Sequence, residues 1–352
     1  MAGVKRRASS AGLAALLAAC GGGQESDAVL IDYQRDLAAR LALEAPEPRS
    51  PDNVGAFPER RERLVEIPET REGMLDVYAL RECRITTLVA KRNSALGRVA
   101  PASQHWRYEL ELWQRLDACL DGEVAERLAD DDRARLERLT ATKREQLPRA
   151  TWNGLFGSEE WSQSFSRVSS PLPPDRLGPP EEQLAALDYL ETLSRAPFDE
   201  TTPLPELERL EDHLQALNAR PYTAELLRTL QLAEQRLGEA STLLDRALAR
   251  HDGCQARDVS ARLDASAEEE RLAAWLEALE AAGLAWLEGL SPLFDTLEAP
   301  PEAVAGYRHE WLSLEHAEAP LPAFRDALSR HRTLRQTLAE RCPREDKTSS
   351  GA

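Results

Sequence analysis

Apolar side chains recur at steps of three and four residues along most of the chain, and prolines cut that pattern into segments. Leu30, Tyr33, Leu37 and Leu41 predict a helix from Asp27 to about Glu44, with Asp27 as its cap and Pro46, Pro48 and Pro51 ending it. Residues 45–70 hold five prolines and read as extended chain over the surface. Leu75, Tyr78, Ile85 and Val89 predict a second helix over 71–96, with Gly97 closing it. Pro101 and Ser103 open a third, whose Trp106, Leu110, Trp113, Leu116 and Leu120 form a wide apolar face. The two helices make a hairpin. Cys83 and Cys119 then lie roughly 20 and 24 Å from its turn, level to within one helical turn, so a Cys83–Cys119 bridge fits between the arms.

A further helix over 131–147 ends at Pro148, and 151–170, with Trp152-Asn153-Gly154-Leu155-Phe156-Gly157 at its centre, reads as a buried loop or short helical turns. The five prolines of 170–180 mark a linker and a possible sub-boundary. Glu181–Arg195 and Pro205–Ala219 are shorter helices. Ala224–Arg250 and Ser266–Leu290 are long ones whose alternating steps belong to a bundle seam, the second opened by a Ser266/Glu269 capping box. A third arm passes Tyr307, Trp311 and Leu314, breaks at Pro320 and Pro322, and continues over Phe324–Cys342. Running up, down and up, these arms bring Cys342 towards Cys254. The expected fold is therefore all-α, a multi-helix bundle with long antiparallel helices over 27–342, braced by Cys83–Cys119 and Cys254–Cys342, with a disordered polar tail over 343–352.

The first residues change the picture of where such a body sits. Lys5, Arg6 and Arg7, an apolar run over Ala11–Ala19 and then Cys20 have the layout of an export signal. The run is far short of the about 20 apolar residues that span a bilayer. Leu17-Ala18-Ala19-Cys20 resembles the lipobox of bacterial lipoproteins, which implies removal of residues 1–19, acylation of Cys20, and 20–26 as anchor and Gly-rich tether. Gly21, in place of the aspartate that typically retains such proteins at the inner membrane, points to the outer membrane's periplasmic face. Loss of Lys5, Arg6 and Arg7 takes the net charge from −17 to −20, a surface that repels nucleic acid. The four remaining cysteines are an even set for an oxidising compartment, and they allow three connectivities.

Against that acidity, residues 71–107 carry seven basic and three acidic side chains. Lys91, Arg92, Asn93, Ser94 and Arg98 at the hairpin turn are thus a candidate anion site. The competing reading is structural: Asn93 and Ser94 turn the chain, and the cations complement a helix C-terminus. His309-Glu310 begins like a zincin helix, but His316 falls seven residues on, not four, and no third ligand is apparent, so no metal site is assigned. No Gly-x-Ser-x-Gly elbow or Gly-rich phosphate loop is present, no cofactor is implied, and Trp106, Trp113, Trp275, Trp286 and Trp311 sit on apolar stripes that read as core.

The Leu-Arg-Glu-Cys turn at Cys83, Arg92-Asn93-Ser94, Leu96-Gly97-Arg98 and Ser103-Gln104, all within Arg71–Glu111, resemble the strongest block of domain-of-unknown-function family 3080, a family of Gram-negative lipoproteins. Trp152–Gly157 is similar to a second block. Pro101-Ala102-Ser103-Gln104 departs from the Pro-Ser-Gln expected there. The resemblance implies an envelope lipoprotein and no particular chemistry. Together these features point to a non-enzymatic interaction or scaffold protein, bound to membrane lipid through acylated Cys20 and to an envelope protein or cell-wall component. The alternative is a binding or enzymatic module for an anionic envelope ligand at the turn.

Overall fold

A computed structural model describes residues 22–167, 169–250 and 267–341, and every regular element among them is helical. The first half contains α1 (Gly22–Arg40), α2 (Arg60–Arg63), α3 (Met74–Ala79), α4 (Thr86–Asn93), α5 (Ala95–Arg98), α6 (Ala102–Leu120), α7 (Glu123–Arg127), α8 (Asp130–Phe156) and α9 (Glu159–Gln163). The second contains α10 (Glu181–Arg195), α11 (Leu210–Asn218), α12 (Tyr222–Ala249), α13 (Ala267–Phe294), α14 (Glu302–Tyr307) and α15 (Pro320–Arg341).

The long helices run up, down and up as their seams predict. Trp286 Nε1 donates to Thr223 Oγ1 at 3.0 Å, which sets the end of α13 beside the start of α12. Arg325 meets Glu280 at 2.8 Å and Arg335 meets Glu269 at 3.0 Å, so α15 runs against α13. Arg330 reaches Asp245 and Arg341 the Leu248 carbonyl, so α15 runs with α12. Cys254 and Cys342 lie outside the described residues, as do Cys20 and Ser266.

α1 is the fourth member of this bundle. It starts at Gly22, so residues 22–26 of the expected tether are helical and Asp27 is interior to the helix, not its cap. Asp27 instead grips the buried Arg236 of α12 through two bonds of 2.7 and 3.2 Å. Leu37, Ala38 and Leu41 pack with Leu243, Leu244 and Leu338 at one end.

The main core joins this bundle to the middle of the chain through aromatic rings: Trp152 stacks on Phe156 at 3.8 Å, and Phe156 meets Phe294 edge-on at 5.0 Å. That packing overturns the expected stop at Pro148. The proline removes one helical hydrogen bond and costs about 3 kcal/mol, yet α8 continues to Phe156 because Trp152, Leu155 and Phe156, fully buried, each recover about 1.5–3 kcal/mol. The proline-rich strap over 45–70 is fastened to the same helix. Trp152 Nε1 donates to the Arg63 carbonyl at 2.6 Å, and Asn153 bonds both polar groups of the Val65 backbone. In 170–180, Leu172 and Leu177 belong to the main core; the Leu172 N–H donates to Thr229 Oγ1 at 2.7 Å.

Candidate functional site

The hairpin is built on its own small core, in which Leu80, Cys83, Ile85 and Leu88 meet Leu112, Leu116, Cys119 and Leu136. α6 serves both cores: Trp106, Leu110 and Trp113 face the aromatic one, and its later turns face this one. Cys83 and Cys119 are bonded, with Cα atoms 5.3 Å apart. The first arm, however, is not one helix over 71–96. A straight helix would rotate Ile85 about 140° away from Leu80. A 3-10 turn at Arg81–Cys83 and a left-handed Arg84 (φ 59°) reset the phase, so that Leu80, Cys83 and Ile85 are all buried. Arg115 of α6 holds the break by donating to the Arg84 carbonyl.

The second correction concerns Gly97. It lies inside α5 instead of ending a helix in a left-handed conformation, since no glycine among the described residues has positive φ. A side chain is excluded there for another reason: a Cβ would stand 2.2 Å from the Lys91 carbonyl oxygen and 2.5 Å from that of Arg92.

The five residues of the candidate anion site are brought together at this turn, and several are engaged with its backbone. Ser94 caps α5, accepting from the Gly97 N–H at 3.0 Å and donating to the Lys91 carbonyl at 2.8 Å. Arg92 donates to the Gly97 carbonyl at 3.3 Å, and Arg98 Nε to that of Asn93 at 3.0 Å. Lys91 and Asn93 are exposed. Ser103 is turned away and buried against Glu211 Oε1 at 2.9 Å.

What the apolar stripe concealed is on the outer side of the same segment. Met74 (88% exposed), Leu75 (83%) and Tyr78 (57%) share one face of α3, while Val77 packs inward; Leu96 (82%) and Val99 (79%) stand one turn apart beyond α4. Leu75 and Tyr78 were expected in a buried face. The available signal was density: Met74-Leu75 and Val77-Tyr78 are more apolar positions than one buried face of a short helix holds. Charge is distributed unevenly around them. Asp76 is matched by Arg135 at 2.9 Å and Glu82 by Arg127 at 3.6 Å, both arginines coming from later helices. Arg81, Arg84, Lys91, Arg92 and Arg98 have no carboxylate within ion-pair distance among the described residues. Arg81 lies over the Tyr78 ring and Arg92 over that of Tyr108.

Elsewhere, His309 and His316 are close enough to stack, with ring centroids 4.1 Å apart, beside a π-helical turn over Arg308–Leu312. They line a cavity of about 420 Å³ with Gln231, Glu234 and Trp311, and burial raises the Glu234 carboxyl above its usual range. Among the described residues no three His, Cys, Asp or Glu side chains are grouped to hold a metal ion, and no helix is long and apolar enough to cross a membrane. Trp106, Trp113, Trp275 and Trp286 are buried, as the stripes imply, and Trp311 packs closely against Gly55.

A family model described as "Protein of unknown function (DUF3080)" matches residues 30–345, which includes the whole hairpin and all of the bundle but the first turns of α1. No curated protein and no solved structure matches the chain.

Proposed function

The chain belongs to the DUF3080 family, whose description assigns no activity, and from its own surface we propose that it is a membrane-anchored envelope lipoprotein that works by contact, as an interaction or scaffold protein. In this reading residues 1–19 are removed, Cys20 is acylated, and the body faces the periplasm from the outer membrane. Cys254–Cys342 forms a second bridge; the adjacency of Arg341 to Leu248 supports it, because the chain leaves both helices at that end of the bundle. The observation that carries the reading is the exposed apolar set Met74, Leu75, Tyr78, Leu96 and Val99 on a segment held by its own core and disulfide. Large apolar side chains left in water on a braced element mark a surface that is covered in use.

Photo-crosslinking residues placed at Leu75 and Leu96 in intact cells test it, with the exposed Gln336 of α15 as the control. Adducts at the first two positions and none at the third are expected; equal labelling at all three overturns the assignment of the surface. Intact-mass analysis of the same membrane-extracted protein should show a diacylglycerol-modified chain that begins at Cys20. A second reading, a small anionic ligand at Lys91, Arg92, Asn93, Ser94 and Arg98, is favoured by cations that lack carboxylate partners. Arg92→Ala with Arg98→Ala separates the two: under the second reading anion binding is lost at unchanged thermal stability.

A further inference from the structure

We infer that the occupant of this surface is an anionic phospholipid bilayer, on which the segment Met74–Val99 lies as an interfacial element. The inference rests on the reading of the segment as a contact surface and names its partner.

Three observations select a bilayer over a protein groove-filler. The exposed apolar side chains are spread over two separate short helices, α3 and α5 with the residue that follows it. A bilayer interface accepts such scattered side chains one by one, each entering the acyl boundary on its own. The cations have the complementary sign. Arg81, Arg84, Lys91 and Arg98 are exposed, and the segment's two carboxylates, Asp76 and Glu82, are already matched by Arg135 and Arg127 from outside it. The positive charge therefore remains for phosphate headgroups. Finally, the chain as a whole carries −17, so an anionic leaflet repels most of its surface and attracts this one. Field and apolar contact together orient the body, with the braced hairpin down and the acidic bundle away from the lipid.

The position of the aromatic residue agrees with this arrangement. Tyr78 has Arg81 over its ring at 4.8 Å, and its exposed phenol is an amphipathic group suited to the headgroup level, between Met74 and Leu75 on one side and the cation on the other.

The test uses the chain from residue 20 onward with Cys20→Ala and Cys83–Cys119 oxidised, so that neither an acyl group at residue 20 nor the basic, apolar leader contributes. Co-sedimentation is measured with vesicles of phosphatidylcholine alone and with about one third phosphatidylglycerol. Binding to the anionic vesicles only is expected, weakening as salt rises. Arg84→Gln with Lys91→Gln should lower the affinity about twenty-five-fold, each cation near the surface contributing about fivefold. Leu75→Glu with Leu96→Glu should abolish binding without changing thermal stability, because both side chains already stand in water. Glycerol phosphate in solution should not compete. Equal affinity for both vesicles, or binding indifferent to all four substitutions, overturns the bilayer assignment. A self-association lost in Leu75→Glu, or an in-cell protein adduct at Leu75 without vesicle binding, also overturns it and leaves the contact-surface reading standing. Competition by glycerol phosphate would replace the bilayer by a soluble phosphate ligand.

Discussion

Asn153 faces the backbone of Val65 with both ends of its amide: Oδ1 accepts from the N–H at 2.9 Å, and Nδ2 donates to the carbonyl at 2.7 Å. A helix side chain thus does for the strap what a neighbouring strand does in a sheet. Asn153→Ala leaves both groups without partners and should cost about 1–3 kcal/mol. Asn153→Asp keeps only the acceptor and should fall between. Limited proteolysis within 55–68 reads the effect directly, and equal resistance of all three proteins would show that Trp152 and the buried Arg63 hold the strap without Asn153.

Gly154 and Gly238 should respond to alanine with opposite signs. A Cβ on Gly154 would sit 2.4 Å from Trp106 Cβ, and overpacking of that kind costs about 1–3 kcal/mol. A Cβ on Gly238, inside α12, meets nothing within 4 Å, so the lower chain entropy of alanine should stabilise by about 0.5–1 kcal/mol. Thermal melts of the two variants suffice, and melting temperatures that shift the same way would contradict the close approach of α6 and α8.

The hydroxyl of Tyr33 accepts from Arg335 at 3.1 Å and shares a hydrogen bond of 2.6 Å with His331 Nε2. On the other side of the ring, His331 Nδ1 faces Ser241 Oγ at 3.2 Å. Burial, with Arg335 nearby, holds the imidazole down to about 4 from 6.5. Between those values the unfolded chain binds the extra proton. The contribution to stability is complete above about 6.5 and is lost as pH falls towards 4, amounting to about 3 kcal/mol. Denaturant unfolding at pH 7 and 4.5 should show a smaller difference in His331→Gln than in the parent; identical pH dependence would remove His331 as its source.

Cys83 and Cys119 close a loop of 36 residues, for which chain entropy gives about 4 kcal/mol. Replacing both by alanine should release the hairpin before the bundle, since its core is separate. Hydrogen exchange should accelerate at Leu80, Ile85 and Leu88 while α12 stays protected. Equal acceleration in both regions would mean that the two cores open as one unit.

The long helices were legible because their partners demand nothing beyond a leucine at each step: Glu181–Arg195 matches its predicted limits, and α12 and α13 match within a few residues. The disulfide was legible from the length of two arms. Pro148 misled, because a local rule about lost hydrogen bonds lost to burial of Trp152 and Phe156 decided over longer range. The first arm of the hairpin misled in the opposite sense. Periodicity says that a face is apolar, and it cannot say what covers that face, so it puts Leu75 and Tyr78 inside, where the structure leaves them exposed. The place of α1 was hidden for the same reason: its stripe announced burial but not the α12 and α15 surfaces 200 to 300 residues away.

That distance orders the folding of the chain. α1 contacts helices made long after it, with Tyr33 and His331 separated by 298 positions. α1 must wait, with Leu37 and Leu41 uncovered, until α12 has been synthesised, and Leu338 of α15 completes the cluster later still. The hairpin needs only residues 80 to 136 for its own core and can assemble much earlier. α1 and the helices that cover it thus behave as one cooperative element, although 200 to 300 positions separate them.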